Sequence, residues 1–175
     1  MDNHGFTLVE LLITLTLLVI LVALGSSGFS AQIQSNRVKT TALSLQEAVA
    51  LTRSQAVFAN RRTTIKAREQ WQNGWDIFID NNSNGIREED EKLLASGEIS
   101  NRVRIIANQP IKHYISYTGT GESRLESRVH AGAFQAGTFS ICPLDEGDGY
   151  QLILSRGGRM RMSEIDAAKC AEEKQ

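Results

Sequence analysis

Phe6-Thr-Leu-Val-Glu10-Leu-Leu-Ile-Thr-Leu15-Thr-Leu-Leu-Val-Ile20-Leu-Val-Ala-Leu24 is a run of 19 residues in which every position except Glu10 is apolar or threonine. As a helix rising about 1.5 Å per residue it extends roughly 28 Å, close to the hydrocarbon thickness of a bilayer. A small domain has no place to bury a helix that is apolar on every face. A secretory signal carries basic residues before its apolar run, and Met1 to Gly5 contain no lysine or arginine. The run therefore predicts a membrane-spanning helix over 6–24. Glu10 stands out within it, because an ionised carboxylate at such a position costs a few kcal/mol or more unless it finds a partner.

Nothing later in the 175 residues resembles that stretch. The chain averages 41% hydrophobic and 22% charged residues, close to an ordinary folded protein, and its formal net charge of −1 gives no global attraction to nucleic acid or anionic lipid. Any such binding must come from a local patch. No His/Cys cluster has zinc-ligand spacing, since His4, His113 and His130 are isolated. Serine and aspartate have no nearby histidine or activated-nucleophile motif, which argues against an enzyme.

Gly25-Ser-Ser-Gly28 is poor helix material and marks either a flexible joint or a membrane-exit segment. Beyond it Val38, Ala42, Leu45, Val49, Thr52 and Ala56 recur at spacings of four and three, one apolar stripe of an amphipathic helix over 25–59. Gln34, Arg37, Lys39, Gln46, Glu47 and Arg53 fall mostly off the stripe and are expected to be solvated. Asn60-Arg61-Arg62 is expected to close the helix. Arg61, Arg62, Lys66 and Arg68 form a basic cluster best explained as a solvated helix end and strand.

From Thr63 the texture changes to short apolar runs broken by Gly, Asn, Ser and Asp. Strands are predicted at 63–67, 74–79, 102–107, 113–117, 137–142, 150–155 and 159–162, forming one curved sheet over the helix. The fold class is α+β, with a long amino-terminal helix packed on an antiparallel β-rich domain at 60–175.

Three local patterns carry possible chemistry. Asp80, Asn82, Asn84, Gly85 and Glu91 match the ligand spacing of a calcium loop. The flanking segment reads as a strand, however, and Arg87 replaces an apolar residue, so an Asn/Gly turn with positive φ is the preferred explanation. Arg156-Gly157-Gly158 suits a tight reversal, after which Arg159 and Arg161 project from one face about 7 Å apart while Met160 and Met162 face the core. Two guanidinium groups so placed can take adjacent phosphates without reading sequence; alternating arginines on an edge strand for solubility are the alternative. Arg156 and Lys169 are further candidates for that patch. Cys142 and Cys170 form a disulfide in an oxidising compartment and stay free thiols in the cytosol. A bond between them would close a loop of about 29 residues and contribute about 3–4 kcal/mol in the chain-entropy view.

Gly5-Phe6-Thr7-Leu8-Val9-Glu10-Leu11 resembles the leader junction of type IV pilins and type II secretion pseudopilins. The resemblance implies a leader at 1–5, cleavage between Gly5 and Phe6 by a prepilin peptidase, and N-methylation of Phe6. It implies that Glu10 pairs with the Phe6 amine of a neighbouring subunit in a filament. The leader departs from the family in lacking a basic residue and in carrying acidic Asp2. Trp71-Gln-Asn-Gly-Trp75, the Asp80–Gly85 turn and Glu91 with Leu93-Leu94 resemble the FimT/GspH group of minor pilins and pseudopilins. Gly158-Arg159-Met160-Arg161 is similar to the Gly-Arg-x-Arg motif of the FimT type, implicated there in DNA binding during natural transformation. The implied protein is a minor pilin in or at the tip of a pilus, or else a purely structural pseudopilin or pilus-priming subunit. Its implied partners are other pilin subunits, the peptidase, the inner membrane and DNA. The implied location is single-pass in the inner membrane with a periplasmic carboxyl-terminal domain, extracellular once assembled; no cofactor is expected unless the 80–91 loop holds calcium.

Overall fold

The computed structural model describes residues 7–99, 102–126 and 132–173, without the side chains of 24–28. The chain divides into two units, Met1–Gln34 and Ser35–Gln175. A single element, α1 (Leu8–Ala59), supplies helix to both. Its backbone is helical through Gly25–Gly28, so of the two readings of that stretch a break in the helix is not the one observed. At its start Thr7 accepts the N–H of Glu10 at 3.2 Å, a helix cap with the acidic residue in the first turn, where the helix dipole favours negative charge.

In the first unit the large apolar side chains from Leu8 to Val22 are all exposed, from 53% at Ile13 to 78% at Leu8. A helix apolar on every face suits an apolar surrounding. Among the described residues no helical stretch is long and apolar enough to cross a membrane. The apolar run of the sequence extends past both ends of its described side chains, Thr7 to Ala23.

In the second unit the stripe Val38, Ala42, Leu45, Val49, Thr52 and Ala56 is buried, joined by Thr41 and Ala48. The helix ends where Asn60 turns to φ 47°. The Arg61 N–H returns to the Ala56 carbonyl and the Asn60 N–H to that of Val57, the paired bonds of a left-handed helix cap. Eight strands follow: β1 (Thr63–Arg68), β2 (Gln70–Ile79), β3 (Leu93–Gly97), β4 (Val103–Ala107), β5 (Tyr114–Tyr117), β6 (Gly137–Pro143), β7 (Gly149–Leu154) and β8 (Met160–Ile165). A short helix, α2 (Ala167–Glu172), closes the described chain.

The expected single sheet is two antiparallel sheets of four strands, ordered β3-β2-β1-β5 and β4-β6-β7-β8. The split follows from pairing. β1 is flanked by β2 and β5, which leaves β4 to cross over and pair with β6. The inward rows of both sheets, such as Ile65 and Ile77 of the first and Phe139, Ile141 and Leu152 of the second, join the helical stripe in one core. Trp71 is fixed in that core by edge contact with Phe139 at 5.0 Å and by donating to the carbonyls of Ile111 and Lys112.

Candidate nucleic-acid interface

The connection from β7 to β8 is built so that its backbone is satisfied from within. The Ser155 N–H donates to the Arg159 carbonyl at 2.9 Å, and the Gly158 N–H donates to the Ser155 carbonyl at 2.9 Å. The Ser155 hydroxyl donates to the Arg159 carbonyl and accepts the Arg159 N–H. Gly158 has φ 78°, and a Cβ there would strike the Gly121 carbonyl and the Tyr117 ring. The glycine of the Gly-Arg-Met-Arg sequence is therefore required on two counts, conformation and space. Its carbonyl accepts the buried Tyr117 hydroxyl at 2.9 Å, and burial pushes that phenol well above its ordinary pKa, so it stays a donor.

Arg53, expected to be solvated, is the third tie. From α1 its Nε donates to the Gly121 carbonyl at 2.9 Å and its Nη2 to the Gly157 carbonyl at 3.1 Å. Those partners lie 68 and 104 residues away, so no local pattern announces them.

With the turn pinned, Arg156, Arg159 and Arg161 are all exposed. Among the described residues neither the Arg159 nor the Arg161 guanidinium has a carboxylate or hydrogen-bond partner; the two ion pairs are Arg68–Asp76 and Arg124–Glu122. Arg159 immediately precedes β8 and Arg161 lies within it, on the edge strand of the second sheet. Met160 and Met162 pack against the core from the opposite face.

Arg161 opposes Ile153, and Ser163 opposes Gln151, so these residues share the outer face of the sheet. Lys169 reaches the same face from α2, donating from Nζ to Gln151 Oε1 at 3.1 Å. Cys142 and Cys170 are joined by a disulfide with their Cα atoms 5.8 Å apart. Arg159, Arg161 and Lys169 thus belong to one side of the domain, and Arg156 is exposed in the turn beside them.

The 80–91 loop behaves differently. The Asp80 carboxylate is 1% exposed and accepts the N–H groups of Asn84 at 3.1 Å and Gly85 at 3.0 Å, with the Thr64 hydroxyl at 3.1 Å. Glu91, also buried, accepts the N–H groups of Asn81 at 2.8 Å and Glu88 at 3.2 Å. The Asn82 side chain donates to Glu88, and Asn84 Oδ1 accepts the Ile86 N–H. The oxygens that would ligate calcium thus face N–H donors, and among the described residues no group of three or more His, Cys, Asp or Glu side chains could hold a metal. The loop is also no tight Asn/Gly reversal: positive φ falls at Ser83 and Gly85, not at an asparagine.

The basic cluster after the helix splits in the same way. Arg62 is turned inward, where Nη1 donates to the Ser116 hydroxyl and to the carbonyls of Arg124 and Leu125, and burial lowers its pKa. Arg68 holds Asp76 at 2.7 Å, and that hydrogen bond is the largest cause of the lowered Asp76 pKa. Arg62 is thus not solvated as its sequence suggested, whereas Arg61 and Arg68 are exposed as expected. Glu10 is exposed in the first turn of α1, while Gly5 and Phe6 lie outside the described residues.

Compared with known proteins, the chain matches the family model described as type II transport protein GspH over residues 41–158, and the prokaryotic N-terminal methylation motif over residues 1–26. No curated protein matches it. Two crystal structures of the type IV minor pilin FimU from Pseudomonas aeruginosa strain PAO1 match at 19% identity. The first, in space group P21, has a TM-score of 0.55 and covers 73% of this chain and 89% of that one. The second, in P65, has a TM-score of 0.53 and covers 71% and 91%. At that identity the likeness is one of fold.

Proposed function

We propose a function from the premise that this chain belongs to the GspH family, and so is a minor type IV pilin or pseudopilin that assembles with other such subunits. Its amino-terminal motif and helix fit a subunit anchored in the inner membrane and then incorporated in a filament. Beyond that, the prepilin peptidase cuts between Gly5 and Phe6 and methylates the Phe6 amine. Glu10 then meets that amine of a neighbouring subunit, and the β-rich domain at 60–175 stands in the periplasm. The chain spans the membrane once and is extracellular when assembled, in or at the tip of a pilus. There it binds DNA non-specifically through Arg159 and Arg161 during natural transformation.

One observation carries the DNA reading. The Ser155–Arg159 turn is held by Ser155, Tyr117 and Arg53, so its arginines are committed to no internal work. Two unpaired guanidinium groups on a rigid edge can displace counterions from a phosphate backbone, which gives affinity without base readout and a steep dependence on salt. A purely structural subunit, either a GspH-like pseudopilin or a pilus-priming pilin, has its own support. The family match ends at Gly158, one residue before the arginine pair.

The test is a mobility-shift titration of labelled duplex DNA with the full chain in zwitterionic detergent micelles, beside its Arg159→Ala/Arg161→Ala variant. Binding at low salt that the variant loses by at least about tenfold supports the DNA reading. No binding by the parent chain, or binding indifferent to both arginines, leaves the structural subunit standing.

A further inference from the structure

The outer face of the second sheet is organised in rows across the strands, about 7 Å apart along each strand. Arg161, Ile153 and Thr138 form the first row, and Ser163, Gln151 and Ser140 form the second. In the third, Ile165 opposes Gly149 and Cys142 opposes Arg104. The second row carries neutral hydrogen-bonding groups on β8, β7 and β6 and ends in Ile106 on β4. The third is covered by α2, whose Cys170 is bonded to Cys142 and clusters with Ile165.

A helix of six residues does not stand alone in water. α2 is held by its disulfide, by Arg104 Nη2 donating to the Cys170 carbonyl at 3.2 Å, and by Asp148 accepting the Ala167 N–H at 3.0 Å. Its cap, Asp166, accepts the Lys169 N–H at 2.9 Å. So fixed, Lys169 extends over the second row to Gln151, one row from Arg161. The result is a shelf with a cation on each side of a neutral polar floor.

We propose that Lys169 is a third phosphate contact of the DNA site, and that the Cys142–Cys170 bond positions it there; this rests on the DNA reading above. A backbone phosphate over the second row meets the Lys169 ammonium from one side and the Arg161 guanidinium from the other. Half-buried Ser163 faces it from below, while buried Gln151 holds Lys169 through its Oε1 and donates to the Ser140 hydroxyl. The disulfide contributes no contact of its own. It holds a tail that otherwise carries Lys169 away from the face.

The experiment measures the affinity of the full chain in zwitterionic micelles for a labelled DNA of about 30 nucleotides, across about 50 to 200 mM salt. Lys169→Gln is expected to weaken binding roughly fivefold at the low-salt end and to reduce the salt slope by about 1, and Lys169→Arg to restore both. In a Cys142→Ser/Cys170→Ser chain, Lys169→Gln is expected to change affinity less than about twofold, because the lysine has already left the face. Asp166→Ala loosens α2 with the disulfide intact and is expected to weaken binding about twofold, a second route if the serine chain unfolds. Lys169→Gln binding like the parent, while loss of the arginines still weakens it, overturns the third contact and leaves the arginine site standing. An equal effect of Lys169→Gln with and without the disulfide overturns the positioning role. No DNA binding by the parent chain overturns both this proposal and the reading beneath it.

Discussion

Two connections in this domain carry charged motifs and join antiparallel neighbours, yet they dispose of their charge in opposite ways. Between β2 and β3, Asp80 and Glu91 turn inward and meet backbone N–H groups. Between β7 and β8, a serine hydroxyl, a tyrosine hydroxyl and a helix arginine satisfy the backbone, and Arg159 and Arg161 stay outside. A loop of many residues has N–H groups that no strand can pair, and carboxylates are efficient acceptors for them. A tight turn has few such groups and needs little from its own charged side chains. A charged motif is thus a functional candidate only where something else does the structural work.

The sharpest way to break this contrast is to remove the inward charge. The Asp80 carboxylate lies at the end of a buried polar chain. With one proton on each hydroxyl, Arg62 donates to Ser116, Ser116 to Thr64, and Thr64 to Asp80. Asp80→Ala strands three donors in the interior, at about 3–5 kcal/mol. For a domain of this size that lowers the melting temperature by roughly 10 °C. Thermal unfolding followed by circular dichroism checks it. An unchanged melt would mean that the loop is not closed by its carboxylates.

A smaller effect tests the outward turn. Gly158→Ala places a Cβ against the Gly121 carbonyl and the Tyr117 ring in a left-handed backbone conformation. It is expected to cost about 2–3 kcal/mol, read in the same melt. DNA affinity should fall with it, because the arginines follow the turn. A Gly158→Ala chain that keeps its stability but loses DNA binding would place the glycine itself in the interface and break the division of labour argued above.

What the sequence made legible follows the range of the interactions involved. The buried stripe of α1 was readable because helical periodicity is local, and its six predicted positions are all buried. The amino-terminal methylation motif and the exposure of Arg159 and Arg161 were readable from short patterns. The inward roles of Arg53 and Arg62 were not, since their partners lie 54 to 104 residues away. β3 was missed because Leu93–Gly97 is mostly half-buried, without the clean alternation that marks a strand. α2 was missed because six residues are too few for a period, although Asp166 as a cap was a usable signal. The division into two sheets depends on which strands pair, and pairing is long-range by nature.

The smallest expected effect is the most telling for the comparison. If Arg159 and Arg161 do no structural work, Arg159→Ala/Arg161→Ala should melt within about 0.5 kcal/mol of the parent chain, as for exposed side chains away from caps and networks. Both side chains are exposed, and their backbone groups are held by Ser155 and the β7 strand, which alanine leaves in place. The stability difference between this variant and the parent should also change little with salt, since the substitutions remove no ion pair. A loss of about 2 kcal/mol would show that the arginines help hold the turn, like the carboxylates of the 80–91 loop. Any loss of DNA binding would then be a consequence of misfolding. Unchanged stability makes the same loss of affinity attributable to the guanidinium charges alone.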